Sequence, residues 1–158
     1  MSRPALLALA CTLFGLAGPA RSAETPLQVF DQVVVAPTKT SIYVGTVSMM
    51  MPAFVRADDR YETTYTARVF PFFMYNESGR LSVTISDEGL RRLERGETVE
   101  FSGRAVNAGG EERRVEGKAT PADASGGKIK VRVFVSKRIE LIFNTTYRFP
   151  AATPAPAP

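Results

Sequence analysis

The chain of 158 residues has 20 lysine and arginine residues against 16 aspartate and glutamate residues, for a formal net charge of +4. This balance excludes a nucleic-acid binder, whose basic residues would dominate one face. With no histidine and one cysteine, Cys11, the chain cannot form an internal disulfide or a site built on histidine. The length and the 44% of apolar residues are ordinary for one globular domain.

Residues 1–22 are typical of a secretory signal peptide. Arg3 gives a positive start, residues 5–17 form an uncharged apolar run, and small residues precede an expected cleavage site before Ala23. The run is too short to be a transmembrane helix. Cys11 lies inside it and not at its end, where a lipid-modified cysteine would stand. We therefore expect a periplasmic or secreted location and a mature domain without disulfides.

Alternating apolar and polar residues predict eight strands in a single β-rich domain at residues 23–149. In chain order, the strands are expected at 27–36, 41–51, 61–70, 80–85, 97–106, 112–119, 128–135 and 139–149. The turns between them are expected at 37–40, 76–79, 107–111, 120–127 and 136–138. Residues 150–158, rich in proline and alanine, are expected to be a disordered tail.

The clearest element is the hairpin formed by the last two strands. Its alternation pairs Val133 with Leu141 and Val131 with Phe143 on one face. On the other face Arg132 lies near Glu140, which suits contact with water. The sequence therefore predicts a ribbon with an apolar inner face and a charged outer face.

The one helix signal follows the fourth strand. Ser86 is a good N-cap and Gly96 a C-cap, and Leu90 and Leu93 lie three positions apart on one face. A helix this short is not stable alone. We expect it to pack against the sheet through its two leucines.

The inward positions of the fifth and sixth strands are small, among them Gly103 and Gly117. A bulky side chain from the facing layer should fill the space beside them, or a pocket remains. About eight antiparallel strands with short turns and one short helix predict an all-β fold. The architecture is either an antiparallel β-sandwich or a partly closed barrel.

Two apolar segments are the candidate sites of function. The segment 70–75 is predicted as a strand that is apolar on both faces, and the segment 49–54 is rich in methionine, which adapts to varied apolar partners. Together they could line a cavity for a lipid-like ligand or form a partner surface, or else belong to the core. The candidate residues are Met49, Met51, Phe54, Phe70, Phe72, Phe73, Met74 and Tyr75.

Other chemistry is poorly represented. The basic residues of the last hairpin alternate with acids and indicate a solvated face. Asp58 and Asp59 with Glu62 lack the spacing of a calcium loop and indicate a surface turn. The sequence shows no catalytic motif, no phosphate loop, no cofactor site and no metal-ligand pattern. A hydrolase that uses a carboxylate pair, as glycosidases do, is the last alternative, although no pair of acidic residues stands out.

These observations predict an exported, soluble, non-enzymatic β-domain that binds or supports an envelope component. One alternative is a carrier that holds a hydrophobic, lipid-like small molecule in an apolar cavity. A lesser alternative is a small outer-membrane β-barrel, because eight alternating strands would suffice and the last strand ends in Phe149. The expected partner is thus an envelope protein or a hydrophobic ligand, not a nucleic acid.

Overall fold

The computed structural model describes residues 30–150, so the predicted signal peptide at residues 1–22 and the tail beyond Pro150 lie outside the described part. In chain order, the elements are β1 (Gln32–Val35), β2 (Thr38–Ile42), β3 (Gly45–Met50), β4 (Phe54–Ala57), β5 (Arg60–Phe70), a 3-10 turn (Phe73–Tyr75), β6 (Glu77–Thr84), α1 (Asp87–Glu94), β7 (Val99–Asn107), β8 (Glu112–Asp123), β9 (Gly126–Phe134) and β10 (Glu140–Arg148). Within residues 30–150, no helix has both the length and the apolar character needed to cross a membrane.

Eight strands close a barrel. β5, β4, β1, β10, β9, β8, β7 and β6 follow one another around it, and β6 pairs with β5 to complete the circuit. The β2–β3 hairpin extends this wall, with β3 pairing to the later half of β5. The all-β prediction is confirmed, and the architecture is a closed barrel.

β1 and β2 act as one strand that Pro37 interrupts. After the break, the chain stays beside β10, because the backbone N–H of Ala36 donates to the Thr146 carbonyl oxygen at 3.0 Å. The Thr38 hydroxyl then donates to the Asn144 carbonyl oxygen at 3.3 Å. The turn predicted at residues 37–40 is therefore wrong. The chain reverses instead at Tyr43–Val44, between β2 and β3.

The predicted strand 70–75 and turn 76–79 are also wrong. β5 ends at Phe70, Pro71 cannot donate to a sheet, and residues 73–75 form a 3-10 turn. β6 already begins at Glu77. Gly79 lies within β6, where an added Cβ would overlap the carbonyl oxygen of Val106 on β7. The glycine serves this close approach between strands and not a turn. Likewise, most of the loop predicted at 120–127 belongs to β8 and β9.

The predicted hairpin of the last two strands is confirmed. Val133 lies opposite Leu141 and Val131 opposite Phe143. Outside, the guanidinium of Arg132 donates to Glu140 through Nε at 2.5 Å and Nη2 at 3.1 Å. The outward ring of Phe134 lies under the Arg114 guanidinium, at 4.1 Å from the ring centroid. The outer wall is charged and the inner wall is apolar, as the alternation requires.

The two ends of the barrel differ. At one end, which we call the closed end, α1 joins β6 to β7 and buries Leu90 and Leu93 to 2% and 4% exposure. Ser86 caps the helix by accepting from the Gly89 N–H at 3.1 Å, and Gly96 follows it with a φ of +81°. The predicted N-cap and the predicted contact residues of the helix are confirmed, whereas the C-cap is Arg95 and Gly96 is the residue after it. At the other end, which we call the mouth, the turns between β2 and β3, β5 and β6, β7 and β8, and β9 and β10 surround an opening.

Candidate ligand cavity and its rim

The barrel encloses a cavity of about 1430 Å³ that opens at the mouth. Its walls are mostly apolar and come from nearly every strand, with Val47 and Met49 on one side and Val131 and Phe143 on another. Small-molecule sites commonly measure about 300–1,000 Å³, so this interior has room for a lipid-sized molecule. Eight-stranded barrels are either filled by their own side chains or wide enough to hold one small ligand, and the interior of this barrel is not filled by its own side chains.

Aromatic and aliphatic side chains form the floor of the cavity at the closed end. Leu93 of α1 reaches it, and Phe101 lies over Gly117, where an added Cβ would overlap the ring. The ring beside Gly117 comes from the neighbouring strand and not from the facing layer, so the expected filling from across the barrel is wrong, and a pocket remains, as the alternative expectation had it. Tyr61 is 1% exposed, and its hydroxyl donates to the Phe30 carbonyl oxygen at 2.7 Å. Burial raises the pKa of Tyr61 to about 12, so the phenol stays neutral at physiological pH.

A cluster of polar side chains interrupts the apolar wall near the mouth. Arg113 of β8 donates to both carboxylate oxygens of Glu77 on β6, at 3.2 Å from Nε and 2.7 Å from Nη2. The hydroxyl of Tyr65 donates to the same carboxylate at 2.9 Å. Nη1 of Arg113 donates to the Val135 carbonyl oxygen at 3.1 Å, and Nη2 also approaches Glu111 at 3.3 Å. Every charged group of this cluster is therefore paired within the protein.

The hydrogen bonds of the cluster fix its protonation. Burial by itself would raise the pKa of Glu77, but hydrogen bonds from Arg113 and Tyr65 outweigh it and hold the pKa below the ordinary value. Hydrogen bonding to Glu77 raises the pKa of Arg113. Burial, together with the hydrogen bond to Glu77, raises the pKa of Tyr65. At neutral pH the cluster is a carboxylate, a guanidinium and a neutral phenol, held in one geometry.

Exposed apolar side chains encircle much of the mouth. We call this group the rim, and it consists of Tyr43, Val44, Phe70, Phe73, Met74, Tyr75 and Ile139, all more than half exposed. They project from three of the four turns at the mouth, β2–β3, β5–β6 and β9–β10. Within the rim, the rings of Phe70 and Phe73 meet edge to face at 6.0 Å.

The structure divides the predicted site residues into two groups. Met49 and Met51 line the cavity, and Phe54 is buried in its wall at 5% exposure. Phe72 lines the mouth, whereas the other four candidates of the second segment, Phe70, Phe73, Met74 and Tyr75, belong to the rim. The two segments therefore contribute to one feature, the first inside the cavity and the second around its opening.

Several residues of this feature escaped the sequence analysis. Tyr43 and Val44 lie inside the strand predicted at 41–51, and no residue that favours turns stands at these two positions. Glu77 and Arg113 lie 36 positions apart, and only the closure of the barrel brings them together. Ile139 directly follows the turn predicted at 136–138, so its position at the end of the barrel could be predicted from the sequence.

Elsewhere, Asp58 and Asp59 form the turn between β4 and β5, as predicted. Among residues 30–150, no three acidic side chains come close enough together to hold a metal ion. No protein-family model matches the chain, and no curated protein and no solved structure matches it either. The geometry of the cavity and the rim therefore carries the functional argument.

Proposed function

We propose that this protein is an exported, non-enzymatic β-barrel that binds a hydrophobic, lipid-like small molecule inside its cavity. The observation that carries the proposal is the apolar cavity of about 1430 Å³ with its opening at the mouth. Burial of each methylene of a ligand contributes about 0.8 kcal/mol. A chain of about ten methylenes would offset much of the cost of immobilising the molecule.

The position of the polar cluster supports one orientation of the ligand. The floor beside Leu93 and Phe101 is apolar, whereas Glu77 and Arg113 lie near the mouth. An amphiphilic molecule would place its apolar part at the floor and its polar end at the mouth. Arg138, exposed beside the opening, is a donor within reach of such a polar end.

The chemistry of the cavity supports a binding role over catalysis. Glu77 accepts hydrogen bonds from Arg113 and Tyr65, and these bonds keep its pKa low. A general acid would need a raised pKa and a proton to give. The domain expected after signal cleavage has neither histidine nor cysteine to act in its place.

The outer wall argues against an outer-membrane barrel. Arg132 with Glu140, and Arg104 with Glu112, form ion pairs on the outside of the strands. An arginine that faces lipid near the bilayer midplane costs about 2–4 kcal/mol. The charged outer face favours water around the barrel.

Titration with a fluorescent fatty probe, together with native mass spectrometry of the purified mature protein, tests the proposal. Met49→Trp and Val131→Trp place bulk inside the cavity, and we expect them to weaken probe binding by about tenfold, equivalent to about 1.4 kcal/mol. Each has a neighbour on the same strand that points outward, so Met50→Trp and Arg132→Trp are matched controls and should bind as the wild type does. Absence of probe binding, or equal losses in the inner and outer variants, would contradict the proposal.

A further inference from the structure

We propose that the rim docks the mouth of the barrel on a lipid bilayer that contains anionic lipid. In the described part of the chain, eight large apolar side chains are more than half exposed. Seven of them form the rim, and the eighth, Val55, lies on β4. Scattered exposed apolar residues need no explanation, but their concentration at one end indicates an interaction surface.

The side chains of the rim suit the boundary between water and lipid. Tyr43, Phe73 and Tyr75 are aromatic, and tyrosine places an apolar ring beside a polar hydroxyl at the level of lipid headgroups. Tyr43 and Met74 are the most exposed of the group, at 108% and 79%. They stand out from the turns as separate projections, a shape that a deformable lipid surface accommodates.

Basic residues stand next to the rim. Lys137 and Arg138 precede Ile139 in the turn between β9 and β10, and neither forms a salt bridge within residues 30–150. Each basic residue near an anionic membrane surface contributes about 1 kcal/mol to binding. The charge at this turn therefore complements anionic headgroups while Ile139 enters the apolar layer.

The fourth turn at the mouth sets the orientation. Between β7 and β8 it carries Ala108, Gly109 and Gly110, followed by the exposed Glu111. This turn offers neither a large apolar side chain nor a basic residue to an anionic lipid surface. The barrel would therefore be tilted on the bilayer, with its three apolar turns in contact with lipid and the β7–β8 turn away from the membrane surface.

The cavity opens through the same turns, so docking would bring the opening against the lipid. This continuity favours a bilayer as the occupant over a second copy of the chain, whose rim would carry the same basic turn.

Flotation of the mature protein with vesicles tests this inference. We expect binding to vesicles of phosphatidylcholine mixed with phosphatidylglycerol, weaker binding to phosphatidylcholine alone, and a loss of the difference at high salt. The triple variant Tyr43→Ser, Met74→Ser, Tyr75→Ser should bind the mixed vesicles about tenfold or more weakly. Val55→Ser removes a similarly exposed side chain outside the rim and should bind normally. Lys137→Ala with Arg138→Ala should weaken binding to the mixed vesicles only.

Three results would overturn the inference: no flotation of the wild type with either vesicle, equal losses in the rim and Val55 variants, or a dimer that the rim variants convert to a monomer. Sedimentation equilibrium detects the last of these. The cavity variant Met49→Trp should float like the wild type, so a failure of ligand binding and a failure of docking are observed separately. Circular dichroism of each variant checks that the barrel remains folded.

Discussion

The two ends of the barrel treat apolar side chains in opposite ways. At the closed end, α1 covers the strands with Leu90 and Leu93, and Tyr61 is buried beneath. At the mouth, side chains of equal size, such as Met74 and Tyr75, stand in water. Burial of apolar side chains at the closed end stabilises the fold, whereas the exposed side chains at the mouth contribute no such stabilisation. A protein selected for stability alone would cover both ends, and the uncovered mouth is the end to which our proposals assign ligand entry and membrane docking.

The largest expected effect is the contrast between Leu93→Ala and Met74→Ala. Leu93 is 4% exposed, and its truncation should lower the free energy of unfolding by about 2–5 kcal/mol. Met74 is 79% exposed, and its truncation should change that free energy by less than about 0.5 kcal/mol. Urea denaturation measures both values. Similar losses would mean that the mouth is covered in solution and that the comparison between the ends fails.

The second largest loss of stability is expected for Glu77→Gln, in the polar cluster. The substitution removes the charge that Arg113 pairs with and weakens a partly buried, charge-assisted network, at a cost of about 1.5–3 kcal/mol at pH 7. Because the folded-state pKa of Glu77 is lowered, its stabilisation is present above the unfolded pKa of about 4.3 and is lost as the pH falls through the folded-state pKa.

The wild type should therefore lose more stability than Glu77→Gln as the pH falls below about 4.3, and the two proteins should converge in acid. Urea midpoints at each pH report the difference. Glu62→Gln, on the outer face of β5, is a control that should leave the acid profile close to that of the wild type. Parallel profiles for wild type and Glu77→Gln would show that the network does not depend on the carboxylate.

Third is Gly117→Ala, which tests how tightly the floor is packed. The added methyl group would overlap the Phe101 ring, so the ring must shift, and overpacking of this kind costs about 1–3 kcal/mol. Phe101→Leu in the same protein should recover part of the loss, which a double-mutant cycle measures. Additive effects would mean that the ring has free space, contrary to the packed floor of the closed end.

The helix of the closed end and the last hairpin were predictable from local sequence. The N-cap at Ser86, the glycine just after the helix and the contacts of the helix leucines depend on spacings of a few residues. The register of the last hairpin follows from strict alternation, because a slip by one residue would turn Val131 and Val133 outward. Local sequence rules are reliable where an element has one apolar face and one surface to pack it against.

The mouth was predicted unevenly: its turns at 107–111 and 136–138 were expected, but those between β2 and β3 and between β5 and β6 were not. The β2–β3 turn contains Tyr43 and Val44, residues that ordinarily favour strands, and the hairpin pairing on both sides overrides this preference. Pro37 and Gly79 resemble turn residues, but one interrupts a strand and the other admits a close strand neighbour. Glu77 pairs with Arg113 only because the strands close into a barrel, and no local sequence pattern predicts that closure.

The smallest expected effect on stability is that of Ser86→Ala, and this variant also tests at which end the ligand enters. Loss of the hydroxyl leaves the Gly89 N–H without its cap and should cost about 0.5–2 kcal/mol, whereas Ser86→Gly should cost only a few tenths. Hydrogen exchange should then accelerate in α1. Because a ligand is proposed to enter by the mouth, fraying of the helix should leave the association rate of the fatty probe unchanged. A faster association in Ser86→Ala than in Ser86→Gly would place the entrance under the helix and reverse the roles of the two ends.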